Sequence, residues 1–229
     1  MSETICITGA NRGIGLALAE RFARAGHRVV GTYRSGRDAR ALRQAVTPGR
    51  GAVCALDVAD ADAPARLAEV FEGRPLDLLI HNAGVFGGPA QGLHDMNVSA
   101  WRETFEVNAI APFRLTSALL PALRRSSRPR VVALSSQMAA LSRKSTGNHA
   151  YRSSKAALNK VMQVLAEELR GEGIVVCSVH PGWVRTDMGG PSAELGVEEC
   201  VEGLFELATT LTLEHSGRFW TWDGQEHPW

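Results

Sequence analysis

An α/β fold, a single doubly wound Rossmann domain, is what this sequence predicts, on three observations. Apolar runs alternate with longer helical patterns along the whole chain. Most of those runs are near-continuous in apolar residues, as parallel strands covered on both faces require. A glycine-rich turn, Thr8-Gly9-Ala10-Asn11-Arg12-Gly13-Ile14-Gly15, joins the first run to the first helical pattern. The expected domain covers residues 1–229, with a seven-stranded parallel sheet in the order 3-2-1-4-5-6-7 and helices on both faces.

Strands are expected at 4–8, 28–33, 51–56, 76–81, 130–135, 174–180 and 217–222, each rich in Val, Ile, Leu or aromatic residues. Helices are expected at 14–25, 37–46, 61–72, 98–124, 150–171 and 197–213. Gly/Pro pairs at Gly73–Pro75, Gly87–Pro89 and Gly189–Pro191 mark turns. The segments 84–96, 137–149 and 185–196 have no clear period and follow strands four, five and six. In an open sheet the loops at the carboxyl ends of strands line the ligand crevice, so these three are expected to form the substrate rim. Val85, Phe86, Met138, Leu141 and Met188 fall there, with Trp183 just before the third, and they predict an apolar pocket for a bulky or aromatic carbonyl.

Composition excludes several function classes. The chain has 229 residues, 45% hydrophobic, with 25 basic and 24 acidic side chains and a net charge of +1. No global field recruits nucleic acid or anionic lipid. The cluster of Arg124, Arg125, Arg128 and Arg130 reads as a solvated helix end. No run approaches the roughly 18 apolar residues that span a bilayer. The N-terminal sequence enters a strand almost at once, which is unlike a signal peptide. Cys6, Cys54, Cys177 and Cys200 are scattered, with neither disulfide nor metal spacing, and imply core thiols in a reducing cytoplasm. The 7 histidines show no HExxH pattern, no Gly-x-Ser-x-Gly elbow is present, and no metal is expected.

The glycine-rich turn carries the first chemical signal. Gly9 suits a tight turn, Gly13 a close backbone approach to a pyrophosphate, and Gly15 the packing of helix on strand. The helix that begins there offers free N–H groups and a positive dipole end to phosphates. The residues that follow strand two read Arg34-Ser35, with no carboxylate to accept bonds from a ribose 2′-OH. Arg34 and Arg12 instead suit a 2′-phosphate, so the expected cofactor is NADP (NADPH) rather than NAD.

The second signal is Tyr151 and Lys155, at positions i and i+4 of a helix start. That spacing puts phenol and ammonium on one face, and a nearby cation lowers a phenol pKa. A tyrosine so placed exchanges a proton with a carbonyl oxygen during hydride transfer. The chain holds 2 tyrosines, Tyr33 and Tyr151, which limits the alternatives.

With Asn82-Ala83-Gly84, Asn108, Ser135-Ser136, Tyr151, Lys155 and Pro181-Gly182 in this order, the chain resembles the short-chain dehydrogenase/reductase family from the first strand to the last. Residues 181–190 and 216–224 are similar to its C-factor-like and sniffer-like carbonyl reductase branch. The resemblance implies a catalytic set of Asn108, Ser136, Tyr151 and Lys155. In it Tyr151 is the general acid/base, Lys155 holds the nicotinamide ribose, Ser136 orients the substrate oxygen and Asn108 anchors a relay water. Family usage favours Ser136 over Ser135, and the gap to Tyr151 exceeds the usual one, so loop 137–149 is expected to be extended.

The resemblance also implies cofactor contacts. Gly9, Asn11, Arg12, Gly13, Ile14, Gly15 and Arg34 serve the phosphates and ribose, and Asp57 and Val58 the adenine. Asn82, Ala83, Gly84, Tyr151 and Lys155 line the cleft, and Pro181, Gly182, Val184 and Thr186 lie over the nicotinamide. His81 replaces the first asparagine of the family's Asn-Asn-Ala-Gly motif and reads as a satisfied neighbour of backbone groups. Asp187 is expected to cap the following turn. Asn148 and His149 either contact substrate or cap the helix. The implied activity interconverts a ketone, aldehyde or quinone with its alcohol. A nucleotide-binding signalling protein with little turnover is the alternative from another class. The epimerase branch is disfavoured, since only residues 223–229 follow the last strand. Family members also form homodimers or homotetramers, and the apolar residues of helix 150–171 lean weakly to a dimer.

Overall fold

The computed structural model describes residues 2–229. Its elements alternate as β1 (Thr4–Ile7), α1 (Gly13–Arg24), β2 (Arg28–Tyr33), α2 (Arg40–Val46), β3 (Ala52–Ala55), α3 (Ala63–Val70) and β4 (Leu78–His81). There follow α4 (Val98–Phe105), α5 (Ala111–Leu123), β5 (Arg130–Leu134), α6 (His149–Leu169), β6 (Val175–His180), α7 (Val197–Thr210) and β7 (Phe219–Thr221). All neighbouring strands are parallel, and the sheet runs β3-β2-β1-β4-β5-β6-β7. The predicted strand order is therefore the observed one. No helix among the described residues is long and apolar enough to cross a membrane.

The strands are continuously apolar because successive residues enter opposite cores. Ile5, Ile7, Leu78, Ile80, Val132 and Leu134 face a core completed by Leu18, Phe22 and Leu204 of α1 and α7. Cys6, Leu79, Val131 and Ala133 face the other, with Leu67, Leu115, Leu158 and Met162 of α3, α5 and α6. That two-residue period is the strand geometry itself, and each fully buried aliphatic side chain contributes on the order of 2 kcal/mol.

Two expectations are corrected. The helix expected over 98–124 is broken by a π-helical turn, Glu106–Ile110. Pro112 has no N–H for the carbonyl of residue 108 and its ring crowds that carbonyl, so the helix widens there. Nor is the arginine cluster a uniformly solvated helix end. Arg124 forms an exposed pair with Glu172, but Arg130 is 1% exposed. Its guanidinium donates to Glu3 (2.7 Å) and to the Ala208 carbonyl (3.1 Å). Arg130 begins a central strand, so its side chain has the underside of the sheet and the end of α7 to lie against.

The strand order reverses between β1 and β4. That is the switch point at which ligands bind in such sheets, and the three expected rim loops rise around it from β4, β5 and β6.

Candidate active site

On one side of the crevice the turn after β1 is stitched to the turn after β4. Thr8 Oγ1 accepts from the backbone N–H groups of Asn82 (3.1 Å) and Ala83 (3.0 Å). Asn82 Nδ2 donates back to the carbonyls of Thr8 (2.9 Å) and Gly9 (2.8 Å). Gly9 has φ +63°, and a Cβ there would lie 2.9 Å from the Ala83 Cα. A Cβ on Gly15 would lie 2.4 Å from Asn82 Nδ2 and 2.6 Å from the Gly9 carbonyl oxygen. The glycines are thus required for α1 to approach the sheet this closely.

The first turn of α1 has no side-chain cap and no acidic residue. Its N–H groups and positive dipole end face the mouth of the crevice, the arrangement that holds phosphate. Arg12 sits at this end and pairs with Asp187 across the cleft (2.5 Å), an exposed contact. Asp187 therefore engages Arg12, where a turn cap was expected. Thr186 lies beside Gly13, its Cγ2 3.5 Å from where a Cβ on that glycine would stand. Asn11 donates to the Asp38 carbonyl (3.1 Å), and Arg34 is exposed after β2. Asp57 accepts from the Ala59 N–H (3.1 Å) and shapes the turn after β3, with Val58 buried beneath it. Gly182 has φ +86°, and a Cβ there would strike Leu195 at 2.6 Å, so the Pro181-Gly182 bend also needs glycine. Val184 is buried and bridges Leu195.

Across the crevice, α6 delivers Tyr151 and Lys155 from its first turns, while Ser136 leaves the end of β5. The Ser136 hydroxyl acts on the nearby Tyr151 phenol, favouring its ionised form, and accepts from the Met138 N–H (3.1 Å). The Ser135 hydroxyl is buried and has no partner among the described residues. Lys155 is 5% exposed and its ammonium donates to the Leu134 carbonyl (2.7 Å). A Cβ on Gly84 would lie 3.5 Å from that ammonium and 3.3 Å from Asn108 Oδ1, so Gly84 keeps this corner open.

Asn108 lies in the π turn and is fully buried. It accepts from the Val85 N–H (2.9 Å) and donates to the Val85 carbonyl (2.9 Å) and Ser154 Oγ (3.0 Å). Both amide N–H groups are used, which leaves one acceptor direction on Oδ1.

Burial sets the acid–base character of the site. It pushes the Tyr151 phenol above its ordinary value, and the Ser136 hydrogen bond opposes this. The expectation that the nearby cation lowers the phenol is therefore corrected: loss of hydration around the phenolate dominates, and Ser136, not Lys155, is the group that opposes it. Burial also pulls Lys155 down to about 8. His81 is drawn down to about 3 by burial and by the Lys155 charge, and is neutral near pH 7. Its Nε2 pairs with Thr116 Oγ1 (2.8 Å), a side-chain partner where backbone groups were expected.

The rim is apolar in part. Leu141, Trp183 and Met188 are exposed, and Phe86 stacks on Tyr151 with centroids 4.8 Å apart. Val85 instead packs against the core beneath. Most apolar residues of α6 are absorbed by its own chain, with Val164 left exposed. Asn148 occupies the α6 N-cap position in a left-handed conformation without a side-chain cap, and His149 is exposed. Gln91, which sequence reasoning passed over, does the work at this helix start. No local pattern in the sequence marks it, because glutamine is ordinarily an exposed residue.

Comparison with known proteins agrees with this geometry. The family model for short chain dehydrogenases matches residues 3–194. The C-signal protein of Myxococcus xanthus is 45% identical over 156 residues, which is 68% of this chain and 93% of that protein. The carbonyl reductase Sniffer of D. melanogaster superposes with a TM-score of 0.92 at 28% identity, covering 100% of both chains. An NADPH-bound carbonyl reductase from chicken fatty liver does so with a TM-score of 0.90 at 29% identity, covering 100% of this chain and 99% of that one.

Proposed function

The chain belongs to the short-chain dehydrogenase family of oxidoreductases, and from that premise we propose that it interconverts a carbonyl and an alcohol with NADPH as hydride donor. The substrate is a ketone, aldehyde or quinone with an apolar body. The observation that carries this reading is the meeting of Ser136, Tyr151 and Lys155 beside a bare, glycine-lined helix N-terminus at the switch point.

The residues present fit the dinucleotide. Cβ atoms on Gly9 or Gly15 would fill the cradle, the α1 N-terminus is uncapped, and Arg12 and Arg34 supply cations for a 2′-phosphate. When bound, the nicotinamide supplies the hydride. The chain's own residues do the rest. Ser136 donates to the substrate oxygen and orients it. Tyr151 hands its proton to that oxygen as charge develops there. Lys155 holds ribose hydroxyls and provides positive charge that favours the departing phenolate. Phe86, Trp183 and Met188 keep water from the reacting carbon. Solved relatives named as carbonyl reductases, one of them NADPH-bound, support both substrate class and cofactor.

A second reading, nucleotide binding with little turnover, is favoured by the relative named C-signal. A binder has no use for the Ser136–Tyr151–Lys155 set, and for that reason the enzymatic reading is preferred. The test is NADPH oxidation across ketones, aldehydes and quinones. Turnover that falls by roughly 10²–10⁴-fold in Tyr151→Phe, with NADPH affinity kept, is the expected result. NADPH binding without wild-type turnover on any carbonyl supports the sensor and overturns the reductase.

A further inference from the structure

Gln91 lies on the loop between β4 and α4, outside every motif named above, and is 2% exposed. Burying a carboxamide costs several kcal/mol unless its hydrogen bonds are restored. Here they are. Nε2 donates to the carbonyls of Phe86 (2.8 Å) and Gly88 (2.8 Å). Oε1 accepts from the backbone N–H of Tyr151 (3.0 Å). The Gln91 carbonyl lies 3.4 Å from the His149 N–H, a long contact to the same helix turn. Asn148 gives α6 no side-chain cap, so Gln91 supplies from another loop the acceptor that an N-cap residue ordinarily brings.

The loop is shaped around this amide. Gly87 and Gly88 have φ +95° and +78°, and a Cβ on Gly87 would lie 2.6 Å from Thr104 Oγ1. Just upstream, Asn108 grips Val85 by both its N–H and its carbonyl. Between the two buried amides stands Phe86, its ring stacked on that of Tyr151 at 4.8 Å and 30°.

We propose that Gln91 is a positioning residue of the active site: its carboxamide ties residues 86–88 to the first turn of α6, fixing Phe86 on one face of the Tyr151 ring and the phenol oxygen in place. The requirement is specific. Two donors and one acceptor are used at once; an ionised glutamate lacks the donors, and asparagine is one methylene too short to span the same three groups. With one ring face covered by Phe86, substrate approaches the phenol from the other side. Gln91 touches neither substrate nor cofactor, and its influence on chemistry rests on the reductase reading above.

The experiment reads Tyr151 directly. The chain has 2 tyrosines, so in a Tyr33→Phe background the tyrosinate absorbance near 295 nm reports Tyr151 without any substrate. Gln91→Met, similar in length but unable to form the bonds, is expected to move this titration down toward the ordinary tyrosine value, because the ring loses its cover. Phe86→Ala is expected to move it the same way, since Gln91 bonds the Phe86 carbonyl and not its ring. Titrations are compared where circular dichroism shows the protein folded. With a carbonyl substrate, Gln91→Met is expected to lower kcat by roughly 100-fold while the NADPH Kd stays within about 2-fold of wild type. A melting temperature that falls in Gln91→Met while titration and kcat stay at wild-type values would make Gln91 a loop staple and overturn the proposal. If Gln91→Met does not fold, an unchanged titration in Phe86→Ala overturns it. Absence of turnover in wild type would defeat the reductase reading alone, since the absorbance titration still decides the role of Gln91.

Discussion

Replacing Lys155 with methionine should remove activity and yet stabilise the protein near neutral pH. The ammonium is 5% exposed, and burial lowers it from 10.5 to about 8. At about 1.4 kcal/mol for each pH unit, carrying that charge costs the fold about 3 kcal/mol wherever Lys155 is protonated in both states. Methionine removes this cost but leaves the Leu134 carbonyl without the donor it has at 2.7 Å, a loss of about 1–2 kcal/mol. The net expectation at pH 7 is a gain of about 1–2 kcal/mol. The sign with pH follows from the lowered value. Between about 8 and 10.5 the unfolded chain binds more protons than the folded one, so wild-type stability from this group rises with pH across that window. The advantage of Lys155→Met should therefore be full below pH 8 and shrink by about 2 kcal/mol by pH 9.5. Urea unfolding of both proteins at pH 7, 8, 9 and 9.5, followed by circular dichroism, measures the difference. A stability gap that stays flat over this range, or a variant less stable at pH 7, would mean that burial of the Lys155 charge does not burden the fold.

Other sites give equally direct expectations. Gly15→Ala places a methyl 2.4 Å from Asn82 Nδ2, and NADPH affinity measured by fluorescence titration should fall by about 10-fold or more as α1 moves off the cradle. Affinity at the wild-type level would show that the close approach is unimportant. Asp187→Asn frees Arg12 from its exposed partner and should tighten NADPH by about 2–5-fold without changing NADH, an effect that fades in high salt. An equal gain for both cofactors would remove Arg12 from the 2′-phosphate site. Arg130→Ala removes the donor to the Ala208 carbonyl and leaves Glu3 only the longer Arg128 contact at 3.6 Å, and should cost about 3 kcal/mol in urea unfolding. A loss under about 1 kcal/mol would mean that water replaces the guanidinium.

The sheet was legible because both faces of each inner strand are buried, which writes continuous runs such as Val131–Leu134 into the sequence. The glycine turn was legible for a similar reason: backbone approaches that exclude a Cβ leave no choice of residue. Arg130 was not, because a charged residue in a strand gives no local sign of a partner as distant in sequence as Glu3. Gln91 was hidden in the same way. Its partners are backbone groups of its own loop and of the first turn of α6, and no periodicity marks them. The raised Tyr151 phenol was missed because spacing reports a neighbour's charge but not the loss of water around it.

The π turn at Glu106–Ile110 amounts to one surplus residue in an otherwise regular helix. One residue turns a helix by about 100°, so α4 and α5 are out of phase with each other by that angle. The extra residue lets Asn108 reach Val85 while Ala111, Leu115 and Leu119 still face the core. Excising any single residue from this stretch would straighten the rod and swing one half of it out of step. Length at this point is therefore as tightly constrained as chemistry, although no side chain in the turn announces it.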